Sequence, residues 1–284
     1  MKKIIIVPNV NKDGGLKVTH RVVDILYDSG ATVYIDCKYA KDFGDKVNTF
    51  SKLPRDAELI IVIGGDGSIL DASAMALELD IPIVGINLGK VGYLSEIEPE
   101  GLQVLQRLLA EDYTVKERML LTAKKVSKGN VSVSQRFAVN DVVISHDRYF
   151  GISDLSLTDG KGETVKYRAD GLVLSTPLGS TAYSLSAGGP IVAPGLLTIV
   201  VTPVCPHSFF NRSILFSQDT KLTVTNTGES NLNISVDGRF FAEMGAGDLC
   251  VVAAADKKLK ILTFNENSTF STLFGKMKIM EDIK

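Results

Sequence analysis

Residues 59–70 read LIIVIGGDGSIL. Five apolar residues, four of them β-branched, run to Ile63 and stop at Gly64 and Gly65, which predicts a buried strand. The next stretch, SILDASAMALEL, reads as a helix. Strand, glycine turn and helix in this order are the unit of a mainly parallel sheet covered on both faces. Asp66 stands inside the turn, between Gly65 and Gly67, and a strand end needs no charge in order to stop.

The same alternation extends on both sides. Residues 3–8 read as a buried strand, LKVTHRVVDILYDSG as a helix with apolar positions Val18, Val22 and Leu26 and with Gly30 placed to end it, and ATVYID as a second strand. Downstream, IPIVGIN reads as a fourth strand and PEGLQVLQRLLAEDY as a helix with Pro99 in its first turn. After about Tyr113 the texture changes. ERMLLTAKKV, QRFAVNDVVISH, ISDLSLTDG, ETVKYRADGLVLST, DTKLTVTNTG, NLNISVDG and DLCVVAAA are strand-length runs joined by glycine- and asparagine-bearing turns, so this part is expected to be almost entirely β. SKGN, DGKG and NTGES are the expected hairpin tips. Periodicity alone does not place the last stretch, FNENSTFSTLFGKMKIMEDIK.

The 284 residues suggest about two domains, and 45% hydrophobic with 23% charged residues is ordinary globular composition. Thirty-one basic against thirty-three acidic residues leave a net charge of −2, so no positive field gathers nucleic acid or an anionic membrane. Cys37, Cys205 and Cys250 fit neither a disulfide framework nor zinc spacing and are expected to be reduced core thiols. The apolar run Ile4–Val7 is too short for a signal peptide and ends at Pro8, and no stretch approaches the ~20 apolar residues of a spanning helix; the expected location is cytoplasmic. Of the histidines, His20 is expected to be solvated on the first helix, His146 follows a strand, and His207 alone lies near other unusual residues. No pair has metal-ligand spacing, so no fixed protein metal site is expected.

Four stretches carry chemistry. In GGDGS, glycines permit positive φ and close approach to a ligand, and the N–H groups of the following helix start attract phosphate. The helix dipole would keep Asp66 ionised, as a proton acceptor or as a positioner of a hydroxyl about to attack phosphorus. The plainer alternative is a capped helix behind a tight turn. GINLGKVGYLSEI again crowds glycines, Gly85, Gly89 and Gly92, at a strand exit, with Asn87 in the turn; it is either packing or a second wall of the same cleft, with Tyr93 against a base or ribose. RADGLVLSTPLGSTAYSLSAGGPIVAPG interleaves Ser175, Thr176, Ser180, Thr181, Ser184 and Ser186 with glycine and proline, which suits phosphate and ribose oxygens, while Tyr183 offers a flat face for a ring. AVNDVVIS places Asn140 and Asp141 in a strand-like run, where only one of two neighbours can face a given pocket unless a bulge intervenes. There is no P-loop, no G-x-G-x-x-G after a strand and no nucleophile elbow.

Taken together these stretches resemble the NAD kinase family. GGDGS is similar to its GGDG motif, NLGKVGYL to its N-x-G-x-x-G-[F/Y]-L segment, VND to its Asn-Glu motif and ADGLVLSTPLGSTAYSLSAGGPI to its long glycine-rich signature; TPVCPHSFFNRS and SVDGR also follow its pattern. The match runs in order from about residue 60 to 240. GGDG by itself is shared with diacylglycerol-type lipid kinases and phosphofructokinases; the segment 170–192 is the specific part.

The resemblance implies an α/β nucleotide-binding domain over residues 1–113, with 265–284 returning to it, and a β-rich NAD-binding domain over 114–264, with the active site between them. It implies transfer of the γ-phosphoryl of ATP, with Mg²⁺, to the 2′-hydroxyl of the adenosine ribose of NAD to give NADP. Asp66 would be the base or orienter of that hydroxyl. Gly64, Gly65, Gly67 and Ser68 would shape the phosphate and ATP cradle, and Gly67 and Tyr93 would also border NAD. Asn140 and Asp141 would contact the adenosine half, Asp170 the nicotinamide end, and Ser175, Thr181, Ala182, Tyr183 and Ser186 would line the dinucleotide. Asp141 stands where the family has Glu, about 1.5 Å shorter in reach; Ser68 and Leu178 replace Thr. A homodimer or homotetramer is implied. The alternatives are a lipid or sugar kinase on the same GGDG scaffold and a non-catalytic NAD-binding sensor.

Overall fold

Among the described residues, six strand segments, all parallel, form the sheet of the first unit. The computed structural model describes residues 2–89, 92–127, 130–146, 151–207 and 211–264, with the backbone alone for 130–134. They fall into two units, one running to Glu117 and resuming at Leu259, the other Arg118–Lys258. The expected return of residues 265–284, like the reading of the last stretch, lies outside the described residues.

In the first unit, β1 (Lys3–Pro8), β2 (Thr32–Asp36), β3 (Asn48–Phe50), β4 (Leu59–Gly64) and β5 (Ile83–Asn87) lie in the order β3-β2-β1-β4-β5, and Ile261 of the chain's last strand pairs in parallel with Ile83. Every residue of β4 is buried, as its unbroken apolar run requires. The chain leaves β1 toward β2 and β3, then returns to place β4 on the other side of β1, so the winding reverses between β1 and β4. Ligands of open α/β sheets collect beyond the carboxyl ends of strands at such a reversal.

The helices are α1 (Lys17–Asp28), α2 (Ala40–Phe43), α3 (Asp66–Leu79) and α4 (Leu105–Leu109). α1 buries Thr19, Val22, Val23 and Leu26, with Val18 at the margin, and Gly30 follows it at φ +78° as expected. Its start is held by the buried Asp13, which accepts from Val18 N (3.0 Å), Thr19 N (2.8 Å) and Thr19 Oγ1 (2.6 Å). α3 begins at Asp66, two residues earlier than its apolar pattern indicates, and lays Ile69, Ala72, Ser73 and Ala76 on the sheet. Residues 99–109 are not one helix: Gly101 is non-helical, leaving a 3₁₀ stretch, Pro99–Val104, before α4.

The second unit is antiparallel β, as expected. Its strands are β6 (Thr114–Ser127), β7 (Asn130–Ala138), β8 (Asp141–His146), β9 (Ser153–Thr158), β10 (Thr164–Ala169), β11 (Gly171–Ser175), β12 (Thr198–Val204), β13 (Ile214–Ser217), β14 (Leu222–Asn226), β15 (Leu232–Val236), β16 (Arg239–Met244) and β17 (Leu249–Thr263), with one short helix, α5 (Tyr183–Ser186). One sheet has the order β13-β12-β11-β8-β15-β16; the other has β10-β9-β14-β17, with β6 on β17 and β7 on β6. Ile144, Leu172, Leu174, Ile199 and Ile234 of the first meet Leu121, Leu157, Leu222, Val224 and Val252 of the second in one core. β17 starts in this unit and supplies the first unit's added strand from Leu259 onward.

Three expectations change here. DGKG joins the paired strands β9 and β10, but NTGES joins β14 to β15, which belong to different sheets. Both strands bury alternate residues, a pattern shared by hairpin neighbours and by strands facing each other across a core. Of SKGN, Ser127 and Asn130 pair across β6 and β7, and the two residues between them lie outside the described residues. Only Cys250 is a core thiol; Cys37 and Cys205 are exposed, each just after a strand end. His20 packs its ring on Phe43, centroids 4.5 Å apart.

Candidate active site

At the carboxyl end of β4 the sequence GGDGS turns directly into α3. A Cβ on Gly64 would collide with Ser68 Oγ and Cβ and stand 3.2 Å from Asn9 Cβ, so the first helical turn can close over the strand end only if residue 64 is glycine. Ser68 Oγ accepts from Asn9 Nδ2 at 2.7 Å, and Asn9 N donates to Ile63 O at 2.8 Å, which ties the β1 exit to the β4 exit. Gly65 is extended, and a Cβ on it would meet the Lys12 ammonium and come within 3.7 Å of Gly89 Cα. A Cβ on Gly67 would meet nothing within 4 Å, so no internal contact accounts for the third glycine. None of the three has positive φ; close approach, not backbone freedom, is what Gly64 and Gly65 provide.

Asp66 is the first residue of α3 and is half-exposed. Its Oδ2 accepts from Tyr93 N at 2.9 Å and its Oδ1 from Leu94 N at 2.8 Å. The carboxylate is therefore gripped by the segment that follows β5. Burial, and after it the negative charge of Asp66, raise the Tyr93 phenol and keep it neutral. That segment is itself ordered by Asn87, whose Oδ1 accepts from Gly89 N at 2.9 Å, and by Gly92, which at φ +65° leaves no room for a Cβ against the Asn87 amide. Lys12, exposed in the loop after β1, is a residue the sequence reading passes over. A lysine set among asparagine and glycine after the first strand was its only sequence signal.

In the second unit the run AVNDVVIS is not one strand. β7 ends at Ala138, β8 begins at Asp141, and Asn140 lies in the bend between two sheets, which frees it from strand alternation. The bend is held on both sides. Asp237 accepts from Val139 N (2.8 Å), Asn140 N (2.7 Å) and Asp141 N (3.1 Å). Opposite, Thr176 N donates to Asn140 O (2.9 Å) and Thr176 Oγ1 to Val139 O (2.7 Å). Gly179 packs flat on this peptide, and a Cβ there would overlap the Asn140 carbonyl.

Burial, and next the charge of Asp237, push the Asp141 carboxyl up to about 7. Among the described residues no donor reaches that carboxylate. Ser175 lies directly opposite Asp141 in the β8–β11 pair, so their side chains share a face, and the buried Ser175 Oγ has no partner among the described residues. Burial raises the Tyr183 phenol, and the charges of Cys205, Asp170 and Asp141, all within electrostatic reach of it, add to the shift.

The hydroxyl-rich stretch divides. Thr176, Ser180 and Ser184 turn inward: Ser180 Oγ donates to Pro177 O (2.7 Å) and accepts from Val192 N (2.9 Å), and Ser184 Oγ joins Thr202 Oγ1 (3.1 Å), which reaches Ser213 Oγ (2.9 Å). The Thr181 hydroxyl donates to Leu178 O at 3.2 Å, Ala182 is half-buried, and Ser186 and Tyr183 face solvent. The alternation of small hydroxyls thus reports internal wiring of the loop as much as a ligand surface.

Residues 4–113 match the family described as ATP-NAD kinase N-terminal domain, and residues 139–264 match ATP-NAD kinase C-terminal domain. An NAD kinase of Lachnoclostridium phytofermentans is 38% identical over 281 residues, covering 96% of this chain and 98% of that protein. One from Natranaerobius thermophilus is 35% identical, covering 98% of each. Among solved structures, yeast NADH kinase complexed with NADH superposes with a TM-score of 0.84 at 22% identity over 98% of this chain and 86% of that one. An NAD kinase from Archaeoglobus fulgidus in complex with ATP gives 0.72 at 24% identity, over 98% and 99%. Those two likenesses are of fold; the end-to-end identity to the bacterial relatives and the two matched halves go further, and the chain belongs to the NAD kinase family.

Proposed function

We propose that this chain is an NAD kinase that moves the γ-phosphoryl of ATP onto the 2′-hydroxyl of the adenosine ribose of NAD, giving NADP and ADP. The observation that carries the reading is Asp66, a carboxylate at a helix start beside the β1/β4 reversal, held in one orientation by two backbone amides. Phosphoryl transfer asks for positioning and charge stabilisation more than for covalent machinery. Asp66 orients the hydroxyl and takes its proton as the new O–P bond forms and the bond to the ADP oxygen breaks. Gly64, Gly65, Gly67 and Ser68 border the phosphates, with the Lys12 ammonium beside them, and Tyr93 borders the ribose.

In the second unit, Asn140 and Asp141 contact the adenosine half, Asp170 the nicotinamide end, and Ser175, Thr181, Ala182, Tyr183 and Ser186 the remaining surface of the dinucleotide. Asn140 is suited to an adenine edge because its amide both donates and accepts. Among the described residues no three His, Cys, Asp or Glu side chains are grouped to hold a metal ion. We take Mg²⁺ to enter with ATP, as the family resemblance implies, where it would offset the triphosphate charge. Among the described residues no helix is long and apolar enough to cross a membrane. A cytoplasmic homodimer or homotetramer is the assembly we propose, with β13, a sheet edge carrying the exposed Leu215, as a contact.

The test is direct: purified protein with ATP, Mg²⁺ and NAD, NADP being followed with a dehydrogenase that accepts only the phosphorylated cofactor. NADP formation is expected. Binding of NAD without product would leave a sensor, and product from diacylglycerol or fructose 6-phosphate alone would leave a lipid or sugar kinase.

A further inference from the structure

Asp237 and Gly238 form the turn between β15 and β16, both with positive φ, +49° and +74°. A two-residue turn of this kind is served as well by Asn-Gly as by Asp-Gly. The turn therefore does not explain a carboxylate at this place, and still less one whose burial raises its own pKa against the pull of three amides. What does explain the carboxylate is acceptor capacity. Oδ1 receives two N–H groups and Oδ2 a third, from three consecutive residues 96 to 98 positions away in sequence, and Asp237 N donates back to Asp141 O at 3.0 Å. An amide side chain offers one acceptor oxygen and would turn its NH₂ toward at least one of those donors.

We propose that Asp237 is a positioning residue for the dinucleotide: with Thr176 on the opposite side of the same peptide, it clamps the bend between β7 and β8 and so aims the Asn140 and Asp141 side chains at NAD. The proposal rests on the reading of those two side chains as NAD contacts. It assigns a role to the Asp of SVDGR and to the first Thr of the hydroxyl-rich loop, neither of which touches ligand in this scheme. Asn140, like Val139 before it, is held at both ends of its backbone: its N–H goes to Asp237 and its carbonyl takes the Thr176 N–H. Loosening either side lets the side chain sweep away from its target while the rest of the sheet stays paired.

The full-length enzyme is assayed as wild type, Asp237→Asn, Thr176→Val, Asn140→Ala and the Asp237→Asn/Asn140→Ala double variant. Asn tolerates positive φ, so Asp237→Asn keeps the turn. Asp237→Asn is expected to raise KM for NAD about tenfold, equivalent to ~1.4 kcal/mol, with KM for ATP and kcat within about threefold. Added to Asn140→Ala, it changes KM by clearly less than the tenfold it causes alone, because one of the two side chains it positions is already gone. A purely structural role would not move the pH dependence of kcat/KM for NAD. The titratable groups that act electrostatically around Asp141 are Asp237 from the β15–β16 turn and Tyr183 from α5, and Tyr183 in turn feels Asp170 and Cys205. Removing the negative charge of Asp237 shifts the acidic limb of that profile to lower pH.

If Asn140→Ala leaves KM for NAD unchanged, the reading of Asn140 as a contact fails. If Asn140→Ala raises KM while Asp237→Asn leaves both KM and the limb in place, or lowers all parameters alike together with Tm, the positioning role is overturned. Should Asp237→Asn not fold, Thr176→Val decides: a selective rise in KM for NAD supports the clamp, and an unchanged KM overturns it.

Discussion

Replacing Asp141 by asparagine should stabilise the protein more at pH 8 than at pH 5. The Asp141 carboxyl is moved from its ordinary 3.8 up to about 7 by burial and by the Asp237 charge. A folded-state pKa above the unfolded value means that the neutral acid is the form the fold prefers. The stability it contributes is complete below about pH 3.8 and is lost as pH rises through 7. By pH 5 part of the loss has occurred; from pH 5 to 8 a further two pKa units' worth is lost, ~2.7 kcal/mol at 1.36 kcal/mol per unit. Asparagine has the same shape and carries no proton to lose, and its backbone N–H can still reach Asp237. At roughly 2–4 °C per kcal/mol for a unit of this size, the advantage of Asp141→Asn in Tm should grow by about 5–10 °C between pH 5 and pH 8. Thermal unfolding by circular dichroism at the two pH values reads this directly. An advantage that is equal at both, or that shrinks at pH 8, refutes the account of Asp141 as a carboxyl held neutral by burial.

Asp66→Asn should lower kcat by roughly 10²–10⁴-fold, the range for loss of a general base, with a smaller effect on NAD affinity measured by titration; near-wild-type turnover would remove Asp66 from the chemistry. Gly179→Ala forces a methyl into the Asn140 carbonyl and should raise KM for NAD more than KM for ATP, read from steady-state kinetics. Asp13→Ala removes three hydrogen bonds at the start of α1 and should cost about 1–2 kcal/mol, seen as a lower urea midpoint with kcat retained.

The alternation of apolar runs with helix-period segments before residue 113, and its replacement by short strands afterwards, were legible because length, period and glycine punctuation are properties of neighbouring residues. The same holds for Asp66, whose position at a strand-to-helix corner follows from six letters on either side. What could not be read are the groups that hold the site. The amides gripping Asp66 come from 27 and 28 residues away, and Asp237 reaches Asn140 across 97. No local period encodes such partners, since they depend on which strands become neighbours. β14 and β15 show the same limit, having identical alternation although they enter different sheets. So do Thr176, Ser180 and Ser184, whose hydroxyls look available in the sequence and are spent on Val139, Pro177 and Thr202. The sequence by itself determined which segments become strands and helices and where a carboxylate meets a glycine turn. The tertiary structure alone decided which polar groups are satisfied inside the protein and which are left to meet a ligand, because a hydrogen bond is settled by distance in space and not by order along the chain.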